Sequence, residues 1–117
     1  MGMTYIDGVA TGPTGTHLSV RFLVDSGASY SVLPLDVWTA LSLTPKRRVT
    51  FTLADGTDIQ REVSECHLAL AGQDGHSPVV LGEPGDEPIL GVVTLENLGL
   101  VLDPFQRTLR SMHLRLS

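Results

Sequence analysis

One aspartate stands where an apolar run ends, in Phe22-Leu23-Val24-Asp25-Ser26-Gly27-Ala28. A carboxylate there can take or give a proton, so the chemistry in prospect is general acid–base work. The run reads as a strand going inward, which would carry Asp25 into partly desolvated surroundings. An isolated charge is costly in such a place and persists when it has a partner or a task. On the residues alone, a cap on a surface turn competes with that reading. The other Asp-Gly pairs, Asp7-Gly8, Asp55-Gly56 and Asp74-Gly75, read as turn chemistry.

Other reactive side chains lack the company they need. Ser26 and Ser31 would need a general base to act as nucleophiles, and no Gly-x-Ser-x-Gly elbow is present. His17, His67, His76 and His113 are scattered. Cys66-His67 is adjacent, but neighbours on a strand point to opposite faces, which makes a poor metal site. Nothing in the sequence calls for a metal or a cofactor. Cys66 is the single cysteine, so no internal disulfide forms, and it reads as buried filler. Trp38 reads as packing, and Lys46-Arg47-Arg48 as a solvated loop.

The elements that must position Asp25 are short and mostly β. The 117 residues suit a single domain, 1–117, with 42% hydrophobic and 18% charged residues, an ordinary globular balance. A net charge of -5 argues against a nucleic-acid partner. The sequence shows no apolar run of membrane-spanning length and no basic, apolar leader, so the expectation is a cytoplasmic protein with no membrane partner. A piece of a longer chain is also compatible.

Twelve glycines and seven prolines punctuate the β-like runs. Strands are expected over Thr4–Val9 and His17–Val24, joined by a turn at Thr11–Thr16. A short helix is expected within Pro34–Leu43. Arg48–Leu53 and Asp58–Val63 flank Ala54-Asp55-Gly56-Thr57, a strong hairpin signal. Glu65–Ala71 and Ser77–Leu81 make a second hairpin around Gly72–His76. After the loop Gly82–Pro88 comes Ile89-Leu90-Gly91. Thr94–Leu100 then reads as a helix, with Thr94 as N-cap and Gly99 as C-terminal glycine. The last segments are strand-like. A faint internal repeat sets Gly27 against Gly91 and Asp25 against Ile89.

Taken together, Phe22–Pro34, Leu53–Thr57 and Pro88–Asp103 resemble the retropepsin-like aspartic proteases, the single-domain relatives of pepsin. The resemblance covers about Val20 to Pro104. It implies an all-β, pepsin-like closed β-barrel half with one or two short helices, acting as a homodimer. It implies an aspartic endopeptidase whose partner is a peptide or protein substrate. Such chemistry needs two carboxylates sharing a proton. This chain offers Asp25, while its repeat has Ile89 at the matching place, so the second carboxylate comes from another copy.

Roles follow from the resemblance. Asp25 is the expected catalytic acid/base. Ser26 is expected to bond across the dimer, Gly27 to allow close approach of substrate, and Ala28 to keep the loop small. Ala54, Asp55, Gly56 and Thr57 would form the tip of a flap that closes over the peptide, with Ser29 also at the substrate. Ile89, Leu90 and Gly91 would support the loop from behind. Three departures stand out. Ser29 replaces the acid common in retroviral members, the flap tip carries one glycine and Asp55, and Thr108–Ser117 is long, with "MHLRLS" alternating like a strand of a dimer sheet. The competing expectation is a peptide-binding or dimerisation module with little or no proteolysis.

Overall fold

In the computed structural model, which describes residues 2–112 and residue 116, the alternation of His17–Val24 becomes the strand that carries Asp25. Val20, Phe22 and Val24 turn into the core, while Ser19 and Arg21 face out. A strand's side chains alternate, so Asp25 falls on the outward face with Arg21 and Leu23. It is exposed in the single chain, which corrects the expectation of partly desolvated surroundings.

The elements follow in the order β1 (Tyr5–Thr11), β2 (His17–Val24), β3 (Ser31–Leu33), α1 (Leu35–Ala40), β4 (Arg47–Thr52), β5 (Asp58–Leu70), β6 (Gln73–Leu81), β7 (Ile89–Leu90), α2 (Val92–Asn97), β8 (Leu100–Asp103) and β9 (Thr108–Ser111). Seven strands form one sheet in the order β1-β2-β7-β3-β6-β5-β4. β1 also pairs with β5, at Val9 opposite Ala69, so the succession of pairings returns to β1. β8 and β9 pair separately. The fold is thus mostly β with two short helices. Among the described residues no helix is long and apolar enough to cross a membrane.

The core gathers Phe22, Leu33, Leu41, Leu68, Val79 and Leu90 from different elements. Burying each such side chain favours the fold by about 1.5–3 kcal/mol. Trp38 packs on this core, and its indole N–H donates to the Gly82 carbonyl at 2.8 Å, as a packing residue should. Cys66 is buried too, and its lost hydration pushes the thiol up to about 12. His67, on the other face of the strand, meets Asp74 at 2.8 Å.

Three sequence expectations give way here. The second hairpin does not turn at Gly72–His76. β5 runs unbroken to Leu70, β6 begins at Gln73, and the turn is Ala71-Gly72 alone. Both have positive φ, 49° and 76°, the two-residue geometry whose twist matches paired strands. Thr94 is no N-cap, since α2 starts at Val92 with Gly91 in the cap position, and Thr94 is fully buried. Lys46-Arg47-Arg48 is no loop either, because Arg47 and Arg48 open β4. At the end of the chain β9 covers Thr108–Ser111, and residues 113–115 and 117 of the "MHLRLS" stretch lie outside the described residues.

Candidate active site

β2 is held on both edges where it ends. The Val24 N–H donates to the Thr4 carbonyl at 2.9 Å, and the Asp25 N–H donates to the Leu90 carbonyl at 3.0 Å. The chain then turns at once. The Gly27 N–H donates to Oδ1 of Asp25 at 2.9 Å, and the Ala28 N–H donates to its carbonyl at 3.1 Å. The carboxylate is therefore fixed by its own loop. Its Oδ2 accepts no hydrogen bond among the described residues. A Cβ at position 27 would lie 3.2 Å from Oδ1, so glycine there leaves the carboxylate room.

β7 and α2 brace this loop from behind. β7 runs parallel to β2, with Ile89 opposite Leu23 and Leu90 opposite Val24. The repeat seen in the sequence thus lies side by side in space, shifted by two residues from its alignment of Asp25 with Ile89. The first N–H groups of α2, unsatisfied by any helix of their own, find the loop instead. Val92 donates to the Ala28 carbonyl at 2.9 Å, and Val93 to the Ser29 carbonyl at 3.0 Å. Gly91 makes this approach possible. A Cβ there would come within 2.5 Å of the Tyr30 carbonyl carbon and 2.8 Å of the Ser29 oxygen.

Beneath the loop runs a buried chain of hydroxyls. The Gly91 N–H donates to Ser31 Oγ at 3.0 Å. Ser31 and Thr94 share a short hydrogen bond, and Thr94 and Ser77 share another at 2.7 Å. Ser77 donates to the Pro78 carbonyl at 3.2 Å. Each hydroxyl has one proton and can also accept, so a single run of donors along this chain satisfies all three. Sequence reasoning missed this network. Its signal was slight: three hydroxyl residues inside stretches otherwise apolar enough for the core.

Besides Ile89, Leu90 and Gly91 behind the loop, the predicted residues fall into three neighbourhoods. Asp25 and Ser26 border a hollow of about 410 Å³ with Thr4, Leu23, Leu102 and Pro104. The Ser26 hydroxyl makes no hydrogen bond among the described residues. Gly27, Ala28 and Ser29 border a different cleft of about 300 Å³, whose far wall is the β4–β5 hairpin through Phe51, Leu53 and Ile59. The tip residues Ala54, Asp55, Gly56 and Thr57 are exposed beyond that cleft and do not border it. Gly56 has φ +88°, as the turn requires. Oδ1 of Asp55 accepts the Thr57 N–H at 2.9 Å, and hydrogen bonds from Thr57 hold the carboxyl below its ordinary value.

A search of curated proteins finds no significant match. A family model described as aspartyl protease matches residues 6–94, from β1 through the Asp25 loop, the β4–β5 hairpin and Gly91 to Thr94. That match spans three quarters of the chain, and the protein belongs to the aspartyl protease family.

Proposed function

We propose that the protein is an aspartic endopeptidase that hydrolyses peptide bonds as a symmetric homodimer, with one Asp25 from each chain. The observation that carries this reading is the Asp25 carboxylate itself. It is exposed at the end of a strand held on both edges, braced by its own loop, and alone. Two such carboxylates facing across a two-fold axis would share one proton. The ionised one takes a proton from a bound water, and the protonated one gives its proton to the peptide carbonyl oxygen. The water oxygen adds to the carbonyl carbon. The carboxyl that took the water's proton gives it to the nitrogen, and the other takes a hydroxyl proton back from the intermediate. The C–N bond then breaks to leave an acid and an amine.

In this reading Ser26 bonds across the axis, and the β4–β5 hairpin is a flap that closes on an extended peptide. The peptide pairs its backbone with the flap and alternates its side chains between pockets. The return of strand pairings to β1 supports a closed barrel half. Activity peaks in mildly acidic solution and declines above neutrality.

The test is cleavage of an unbiased peptide library in mildly acidic buffer by the wild type and by Asp25→Asn, with mass in solution measured alongside. Cleavage by a wild-type dimer that vanishes in the variant is expected. Cleavage by a monomer would sink the symmetric mechanism. A folded dimer that cleaves nothing would leave a peptide-binding module, the reading that Ser29 and the acidic tip at Asp55 favour.

A further inference from the structure

The two faces of the β4–β5 hairpin differ in a way that bears on substrate choice. In register, Arg47, Val49 and Phe51 lie opposite Val63, Arg61 and Ile59 on one face. Phe51, Ile59 and Arg61 border the cleft beside Ala28 and Ser29, so that face looks into it. The other face is closed on itself, with Arg48 on Glu62 at 2.9 Å and Thr52 on Asp58 at 2.7 Å.

The hairpin carries three arginines, and two have acids. Arg48 meets Glu62, and Arg61 meets Glu83 at 3.7 Å. Arg47 shares that face but stands outside the cleft's border, in a separate hollow with Val63 and Glu65, and it forms no ion pair among the described residues. It is nonetheless held in place. Its guanidinium donates to the Tyr30 hydroxyl at 2.6 Å and stands 5.7 Å from the centre of that ring. Tyr30 meets Phe51 edge-on at 5.6 Å and borders the cleft with it. A guanidinium has five N–H donors in a fixed plane, and this contact leaves most of them free. No acid on Ala28-Ser29-Tyr30-Ser31 opposes it. The acid that borders the cleft, Asp86, accepts the Glu83 N–H at 2.7 Å, and Glu83 in turn pairs with Arg61.

We infer that Arg47, anchored on Tyr30, binds a carboxylate of the peptide, so that the enzyme selects a glutamate or aspartate side chain at one position near the scissile bond. This rests on the peptidase reading above. Because the ring and hydroxyl of Tyr30 already order the guanidinium, pairing costs little further side-chain freedom. A free peptide C-terminus offers the same chemistry, and the test separates the two.

Peptides carrying Glu, Gln or Lys at each position around a cleaved bond are compared, each with a free and an amidated C-terminus. The wild type is expected to favour Glu over Gln at one internal position by about three- to tenfold in kcat/KM, a span suited to a partly exposed pair. The ratio falls to about one in Arg47→Met and shrinks in Tyr30→Phe, which keeps the ring and removes the anchor. Arg47→Glu favours Lys instead. Binding of the same peptides to Asp25→Asn reads the preference without turnover. An unchanged Glu/Gln ratio in Arg47→Met overturns the inference, as does a preference that follows the free C-terminus. Preferential binding of Glu peptides without any cleavage by the wild type would overturn the peptidase reading and leave Arg47 as the carboxylate reader.

Discussion

The Thr94 hydroxyl lies 2.7 Å from that of Ser77, deep in the core, although one belongs to α2 and the other to β6. Through Ser31 the same hydroxyl reaches the N–H of Gly91, and so the back of the Asp25 loop. Thr94→Val keeps the shape and removes the link. The Ser31 and Ser77 hydroxyls then lose their shared partner in a place water does not reach. A loss of about 1–3 kcal/mol is expected on that ground, read by urea unfolding. Thr94→Ser, which restores the hydroxyl, should recover a good part of it. If the valine variant unfolds at the wild-type midpoint, the network is incidental.

Gly91 is the second device that ties α2 to the loop. Its φ of -98° is open to any residue, so the demand for glycine is steric. In Gly91→Ala the new methyl would meet the backbone of Ser29 and Tyr30, and one of the two segments must move. Overpacking of this kind costs about 1–3 kcal/mol. Either movement loosens the contact between α2 and the loop that carries Asp25, so cleavage should fall further than stability does. Gly56→Ala makes the contrast. Nothing lies within 4 Å of its Cβ, and the cost there comes from φ +88° in an exposed turn, about 1–2 kcal/mol of local strain. Denaturation midpoints and turnover measured on both variants would separate them. Turnover in Gly91→Ala that falls no further than its stability would mean that the contact behind the loop does not position Asp25.

These two devices show where sequence reading succeeds and where it stops. β2 was legible to the residue, because alternation and the flanking turn at Thr11–Thr16 act locally. The hairpin around Asp55-Gly56 was legible for the same reason. The next turn was not. Asp74-Gly75 and Ala71-Gly72 are both plausible turn formers, and pairing along the whole of β5 and β6 decides between them. Thr94 and Arg47 were misread in a related way. A hydroxyl near a helix start looks like a cap, and a basic triplet looks solvated, until the partners supplied by β6 and by Tyr30 are known. The Asp25 loop stood out because an acid directly after an apolar run is a conflict visible within four residues. Of the residues that hold it, Ile89-Leu90-Gly91 were named through the resemblance, while the hydroxyls of β3, β6 and α2 were not, because no spacing rule connects them.

Ser64 is a conflict of the opposite kind. It is 3% exposed, and its hydroxyl has no hydrogen-bond partner among the described residues. A buried polar group without a partner opposes folding, and taking away the group takes away the penalty. Ser64→Ala should therefore leave stability unchanged or raise it by up to about 1 kcal/mol. A clear loss of stability on chemical denaturation would show that the hydroxyl is satisfied in solution.

Cys66 supplies a prediction in alkaline solution. Its thiol is pushed from 9.0 up to about 12 by burial, with the charge of Glu65 adding to the effect. Below pH 9.0 both folded and unfolded chains keep the proton, and Cys66 has no influence on pH dependence. Above that value the unfolded chain releases its proton while the folded chain holds it. Stability then falls as pH rises through the window from 9.0 to about 12, by up to about 1.4 kcal/mol per pH unit. Cys66→Ala lacks this thiol, so its stability should decline less steeply across the same window. The matching chemical signature is a thiol that resists alkylation in the folded protein near neutrality and reacts once urea unfolds it. Fast labelling of the native chain, or identical alkaline slopes for wild type and Cys66→Ala, would mean that Cys66 is more accessible than its place on the core face of β5 allows.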